Sequence, residues 1–263
     1  PLVYALAAGN TAIIKPSELT RHTSAFMAKA IKALFPEEEV ALIEGDASVS
    51  TALLELPFDH IFFTGSPQIG KIVMAAAAKH LASVTLELGG KSPAIIDASA
   101  AIDKLAYHLA WGKCLNNGQT CIAPDYVLVE ASKRDEFVEA FRKGIERLYP
   151  NSAQLVDNPD YCRIVNPRHY QRLRRLYEDA LSKGAVELVG GAWNEAERFV
   201  PPTVLVNMSE DMLIMEEEIF GPILPVLTYS SPAEAVNIIR LRPKPLTLYI
   251  GAKNQRFIQY LLD

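Results

Sequence analysis

Cys121 follows Gly118–Gln119–Thr120 in a short polar stretch, NNGQTC at 116–121, outside any apolar run. Glu87 lies in LELGGKSP at 86–93, at the end of the β-branched run Val84–Thr85–Leu86 and just before Gly89–Gly90, which read as a sharp turn. A thiol that attacks a carbon centre needs close access for its substrate, and a glycine beside it removes a Cβ from the approach. It also needs a base to activate the water that later releases the product, and a carboxylate can do this. A buried, unreactive cysteine and a surface glutamate are the plain alternatives for either residue alone.

Three further stretches carry polar groups where an α/β sheet presents its strand ends. Lys15–Pro16–Ser17–Glu18 follows a strand directly, so Lys15 as donor and Glu18 as acceptor could bracket a ribose diol; a surface lysine and a helix-start glutamate forming half a capping arrangement is the alternative. Gly65, Ser66 and Gly70 lie between a strand and a helix. This spacing fails the ordinary G-x-G-x-x-G fingerprint but leaves a helix N-terminus that could face a pyrophosphate, or a plain strand-to-helix turn. Glu216–Glu217–Glu218 precede Ile219–Phe220–Gly221–Pro222, either a solvated acidic turn or a rim whose acids could hold a second ribose with Phe220 packed beside it.

The elements that must position these residues alternate between strand and helix. Strands are expected at 11–15, 40–43, 60–63 and 84–88, with helices at 23–34, 49–56 and 69–81 between them. After Gly90 the spacing predicts strands at 94–96, 126–130, 204–207, 223–229 and 246–251. Helices are expected there at 102–114, 133–148, 167–181, 233–241 and 255–262. Strands separated by helices of this length argue for βαβ units and a parallel sheet. A boundary near Gly89–Gly90 divides the chain into 1–90 and 91–263.

The chain has 263 residues, 49% hydrophobic and 22% charged, which suits a globular enzyme with one large or two ordinary domains. A net charge of −5 argues against a nucleic-acid surface, and Arg172, Arg174 and Arg175 read as a solvated helix face. Cys114, Cys121 and Cys162 form neither a disulfide framework nor a zinc set, so no metal is expected and a reducing, cytoplasmic compartment fits. No apolar run approaches the roughly 20 residues needed to span a bilayer. The chain opens at Pro1 and closes at Asp263 inside a helical pattern, which reads as an internal piece of a longer protein.

Taken together the motifs resemble the aldehyde dehydrogenase superfamily. AAGNTAIIKPSE (7–18), FFTGSPQIGK (62–71), LELGGKSP (86–93), GQTC (118–121) and EEIFGP (217–222) occur in the family's order. WGK (111–113), GQTCIAPDY (118–126) and EEIFGPILP (217–225) are most similar to its class 3 branch, which handles aromatic and medium-chain aldehydes of the coniferyl-aldehyde type. The resemblance implies an α/β fold, with a parallel Rossmann-like cofactor sheet in 1–90 followed by a second α/β catalytic domain in 91–263, both truncated. It implies Cys121 as nucleophile, Glu87 as general base, and Lys15 and Glu18 as contacts to the adenosine ribose. It places Gly65, Ser66 and Gly70 in the pyrophosphate loop, Glu218 and Phe220 on the nicotinamide side, and Cys114 and Cys162 in structural roles. It further implies NAD or NADP as cofactor, an aldehyde substrate and a homodimeric or homotetrameric parent protein. The family's oxyanion-hole asparagine lies upstream of the stretch that opens this chain. Two rival readings differ in kind: a thiol hydrolase that needs no cofactor, and a folded binding module without turnover.

Overall fold

The computed structural model describes residues 1–150 and 152–263, and the chain falls into two compact units, Pro1–Leu88 and Gly89–Asp263. The first contains α1 (Leu2–Ala7), β1 (Ala12–Ile14), α2 (Arg21–Leu34), β2 (Val40–Leu42), α3 (Ala47–Leu54), β3 (His60–Gly65), α4 (Pro67–Ala78) and β4 (Ser83–Leu88). Its four strands are joined in two parallel pairs, β1 with β2 and β3 with β4, rather than in the one sheet expected. Side chains that cap the backbone punctuate the unit. Asp46 accepts from the Ser48 N–H at the start of α3, and Ser66 caps α4 with Pro67 in its first turn. Phe35 leaves α2 in extended conformation, as the residue before Pro36 must.

The second unit contains β5 (Pro93–Ile96), α5 (Ile102–Cys114), β6 (Tyr126–Glu130), α6 (Arg134–Leu148), α7 (Pro167–Ser182), β7 (Val186–Val189), β8 (Thr203–Val206), α8 (Leu213–Glu216), β9 (Ile223–Tyr229), α9 (Pro232–Arg240), β10 (Tyr249–Gly251) and α10 (Gln255–Leu262). Six strands form one sheet in the order β10-β5-β6-β9-β8-β7, every pair parallel except the edge pair β7–β8. Alternate residues of each strand enter opposite cores. Ala94, Ile96, Val127, Val129 and Val226 pack with Phe137 and Phe141 of α6 and Ala106 and Ala110 of α5. Ile95, Leu128, Leu205 and Ile223 pack with Tyr170, Leu173 and Leu176 of α7 and Phe257 of α10. Helices on both faces explain why β5 and β6 read as unbroken apolar runs.

The antiparallel β7 and the short helices α1 and α8 escape the sequence reading. β7 is an edge strand whose residues alternate between exposed and half-buried, and α8 spans a single turn. β10 is shorter than expected, and α5, β6, β9 and α10 have the expected bounds.

Candidate active site

α5 delivers the chain to Cys121 through a backbone that would not hold itself. Asn116, Asn117 and Gly118 follow one another in the left-handed region, with φ of 49°, 57° and 69°. That conformation costs an L-residue about 1–2 kcal/mol, so neighbours must secure it. Asn117 is fully buried and donates to the Cys162 carbonyl at 2.8 Å, while its Oδ1 accepts from the Tyr161 hydroxyl at 3.1 Å. Gln119 donates from Nε2 to the Arg163 carbonyl at 3.0 Å and accepts the Val165 N–H at 2.9 Å. A Cβ on Gly118 would stand 2.3 Å from the Gly221 carbonyl oxygen, so only glycine allows the two loops to meet.

Cys121 emerges from this fastened loop exposed to solvent. Cys114 is buried, and burial pushes its thiol up to about 12, so it stays protonated and inert at neutral pH. Cys162, which like Cys114 lies outside the motifs, is exposed. Exposure therefore singles out two thiols, and loop geometry rather than access distinguishes Cys121.

Glu218 stands across from the tail of the LELGGKSP motif. Its Oε1 accepts the Gly90 N–H at 3.0 Å, and a Cβ on Gly89 would lie 2.1 Å from that same carboxylate oxygen. Gly89 and Gly90 are absent from the positive-φ residues, so neither makes a left-handed turn, and Gly89 serves close approach instead. Burial raises the Glu218 carboxyl above the usual carboxylate range, against the Gly90 N–H and the Arg172 charge, which pull it down. Phe220 is exposed and adopts φ 47°.

The segment carrying Glu218 is held by side chains that spacing alone does not reveal. Lys91 and Asp125 form a buried ion pair at 2.5 Å. Lys91 also donates to the carbonyls of Ile214 at 2.7 Å and Glu217 at 3.0 Å, and Asp125 accepts the Ile219 N–H at 2.8 Å. Arg172 donates to the carbonyls of Glu218, at 2.9 Å, and Ile219. The reading of the arginine cluster as a solvated helix face holds for the exposed Arg174 and Arg175 and is corrected for Arg172. Arg174 pairs with Glu178 on its own helix, whereas Arg172 and Arg175 reach the acidic segment, Arg175 through Glu217. Lys91 and Asp125 do sit inside recognisable motifs, yet nothing local points one at the other.

In the first unit, Lys15 and Glu18 stand 3.5 Å apart as an ion pair, and Lys15 also donates to the Gly45 carbonyl at 2.9 Å. Gly65 ends β3, and Ser66 opens α4 with its Oγ accepting the Ile69 N–H at 3.4 Å. A Cβ on Gly70 would lie 2.9 Å from the Leu88 side chain, so this glycine lets α4 close on β4. Glu87 is exposed near the carboxyl end of β4, paired in register with Thr64. The second unit therefore gathers Cys121's loop, Glu218 and Gly89–Gly90, while the first carries Lys15, Glu18, the Gly65–Gly70 turn and Glu87.

Among the described residues no group of three or more His, Cys, Asp or Glu side chains is placed to hold a metal ion, and no helix is long and apolar enough to cross a membrane. A depression of about 460 Å³ along α7, lined by Gln171, Arg174, Arg175, Glu178, Asp179, Ser182 and Leu213, contains none of the candidate residues. Its arginines are already paired.

Residues 1–260 match the aldehyde dehydrogenase family. Mouse aldehyde dehydrogenase family 3 member A2 is 44% identical over 263 residues, covering 100% of this chain and 53% of the mouse protein. The 4,4'-diaponeurosporen-aldehyde dehydrogenase of Staphylococcus aureus is 46% identical over 264 residues, covering 100% of this chain and 56% of that protein. The solved substrate-bound state of Staphylococcus aureus AldH superposes with a TM-score of 0.93 at 45% identity, over 100% of this chain and 56% of that one. The chain thus spans a little over half the length of the curated relatives it matches.

Proposed function

The chain belongs to the aldehyde dehydrogenase family, and we propose that the whole protein to which it contributes oxidises an aldehyde to a carboxylic acid through a covalent intermediate on Cys121. The observation that carries this reading is the exposed thiol on a loop fixed from both sides, packed through Gly118 against the segment that bears Glu218.

In this reading the Cys121 thiolate adds to the aldehyde carbon, and the oxyanion that forms is met by the Cys121 backbone N–H. The bound dinucleotide supplies the acceptor for the hydride that the aldehyde carbon gives up. Cys121 then carries a thioester, and Glu87 takes a proton from the water that hydrolyses it. Residues 1–90 form the cofactor-binding domain and 91–263 the catalytic domain.

The donor set suits NAD or NADP. Lys15 and Glu18 offer a cation and a carboxylate side by side at the end of β1, where a ribose diol needs a donor and an acceptor. Ser66 and the first turn of α4 offer a hydroxyl and a helix N-terminus for a pyrophosphate, next to Gly65 and with Gly70 letting the helix lie close. Glu218, steadied by the Gly90 N–H, and Phe220 serve the nicotinamide side. Glu18 would repel a 2′-phosphate, which favours NAD. The class 3 likeness points to an aromatic or medium-chain aldehyde, a homodimer or homotetramer and a cytoplasmic setting.

The test is turnover by the full-length protein. Aldehyde-dependent reduction of NAD or NADP, lost in Cys121→Ser, supports the reading. Ester cleavage that proceeds equally without dinucleotide, with no aldehyde oxidation, would replace it with a thiol hydrolase.

A further inference from the structure

The segment from α8 to β9 carries Glu218 and Phe220 but does not support itself. Its own helical hydrogen bonding ends where the Glu217 N–H meets the Leu213 carbonyl. From Ile214 onward backbone groups are also taken up by side chains from distant parts of the second unit. Lys91 binds the carbonyls of Ile214 and Glu217, Asp125 binds the Ile219 N–H, and Arg172 binds the carbonyls of Glu218 and Ile219. Phe220 follows at once with φ 47°, a conformation that an ordinary side chain leaves unless its neighbours hold it.

The three side chains differ in what their loss would do. Lys91 and Asp125 are a buried pair, only 4% and 3% exposed, and removing either strands a buried charge. Arg172 retains 23% exposure, and among the described residues its hydrogen bonds and ion pair all go to the 217–219 segment. Its guanidinium reaches two successive carbonyls through two separate nitrogens, a planar fork that a lysine ammonium does not present. Removing it therefore releases the backbone under Glu218 without emptying the core.

Building on the function proposed above, we propose that Arg172 is a positioning residue for the dinucleotide. With the Lys91–Asp125 pair it sets the height of the 217–220 backbone, and so fixes where the Glu218 carboxylate and the Phe220 ring meet the nicotinamide ribose. Arg172 touches no reactant and acts through Glu218.

The experiment uses the full-length protein and titrates NAD and NADP directly, by quenching of protein fluorescence, for wild type, Arg172→Met, Glu218→Gln and the double variant. Loss of two charge-assisted hydrogen bonds under the contact residue should weaken dinucleotide binding by about 10-fold or more in Arg172→Met. The rate of Cys121 alkylation should stay within about 2-fold of wild type, because its loop is held by other residues. The double variant should bind no more weakly than Glu218→Gln alone, since Arg172 acts through that residue. Arg172→Lys, which serves one carbonyl instead of two, should lose only about 3-fold and carries the same test if the methionine variant does not fold. Wild-type affinity in the Arg172 variants, or effects that multiply in the double variant, would overturn the inference and leave the proposed function standing. A wild-type protein that binds neither dinucleotide would overturn both.

Discussion

Lys113 occupies the penultimate position of α5, and its side chain is fully buried. Burial lowers its ammonium to about 8 from an ordinary 10.5; Asp125 opposes the shift, while Lys91 reinforces it. The native state therefore holds this proton less tightly than the unfolded chain does. Its penalty is complete at pH values below about 8 and fades as the pH rises from there toward the unfolded value. The gap of about two and a half units, at about 1.4 kcal/mol per unit, sets the cost at about 3 kcal/mol at neutral pH. Lys113→Met keeps the length of the stem and removes the charge, so it should stabilise the second unit at pH 7 by up to that amount. The gain should shrink steadily above pH 8 and vanish by about pH 10.5. The assay is native-state hydrogen exchange at the amides of β6, Tyr126–Glu130, in full-length wild type and variant, corrected for the intrinsic rate at each pH. Other titrating groups are shared by the two proteins and drop out of the difference. A stability difference that does not change between pH 7 and pH 10.5, or a variant less stable at pH 7, would refute the reasoning, because either result means that the ammonium is well paired.

Glu87→Gln in the full-length enzyme should spare the first burst of reduced cofactor and lower steady turnover by about 100- to 10,000-fold. A burst slowed in parallel with turnover, seen by rapid mixing, would instead make Glu87 the base that activates Cys121. Under limited alkylation Cys121 should be modified first and Cys114 not at all, since burial holds the latter thiol protonated. Peptide mapping that finds Cys162 ahead of Cys121 would remove the nucleophile assignment. Gly118→Ala sets a methyl 2.3 Å from the Gly221 oxygen at φ +69°. It should destabilise the loop by about 1–3 kcal/mol and slow Cys121 alkylation; wild-type reactivity would show that the loop tolerates another path.

Much of this protein is legible in short stretches of its sequence. The alternation of strand and helix, and the bounds of α5, β6, β9 and α10, follow from periodicities that run within one element. The positions of Cys121, Glu87 and Glu218 stand out because each lies beside glycines at a break in periodicity. What local pattern cannot carry is which distant groups meet. Gly118 is glycine because Gly221 approaches it, and Gly89 because Glu218 does. Asp125 holds a backbone N–H 94 positions away, and Lys91 a carbonyl 126 positions away. Arg172 and Arg174 are near neighbours on α7, yet Arg174 pairs along its own helix while Arg172 braces the backbone below Glu218. Their residue types are alike, and the turn of the helix separates their fates. Cys162 is exposed although it follows the buried Tyr161, because its carbonyl rather than its thiol is used, to hold Asn117. A buried polar or charged group must find a partner wherever packing brings one, and in this chain those partners come from elements that only the tertiary fold sets side by side.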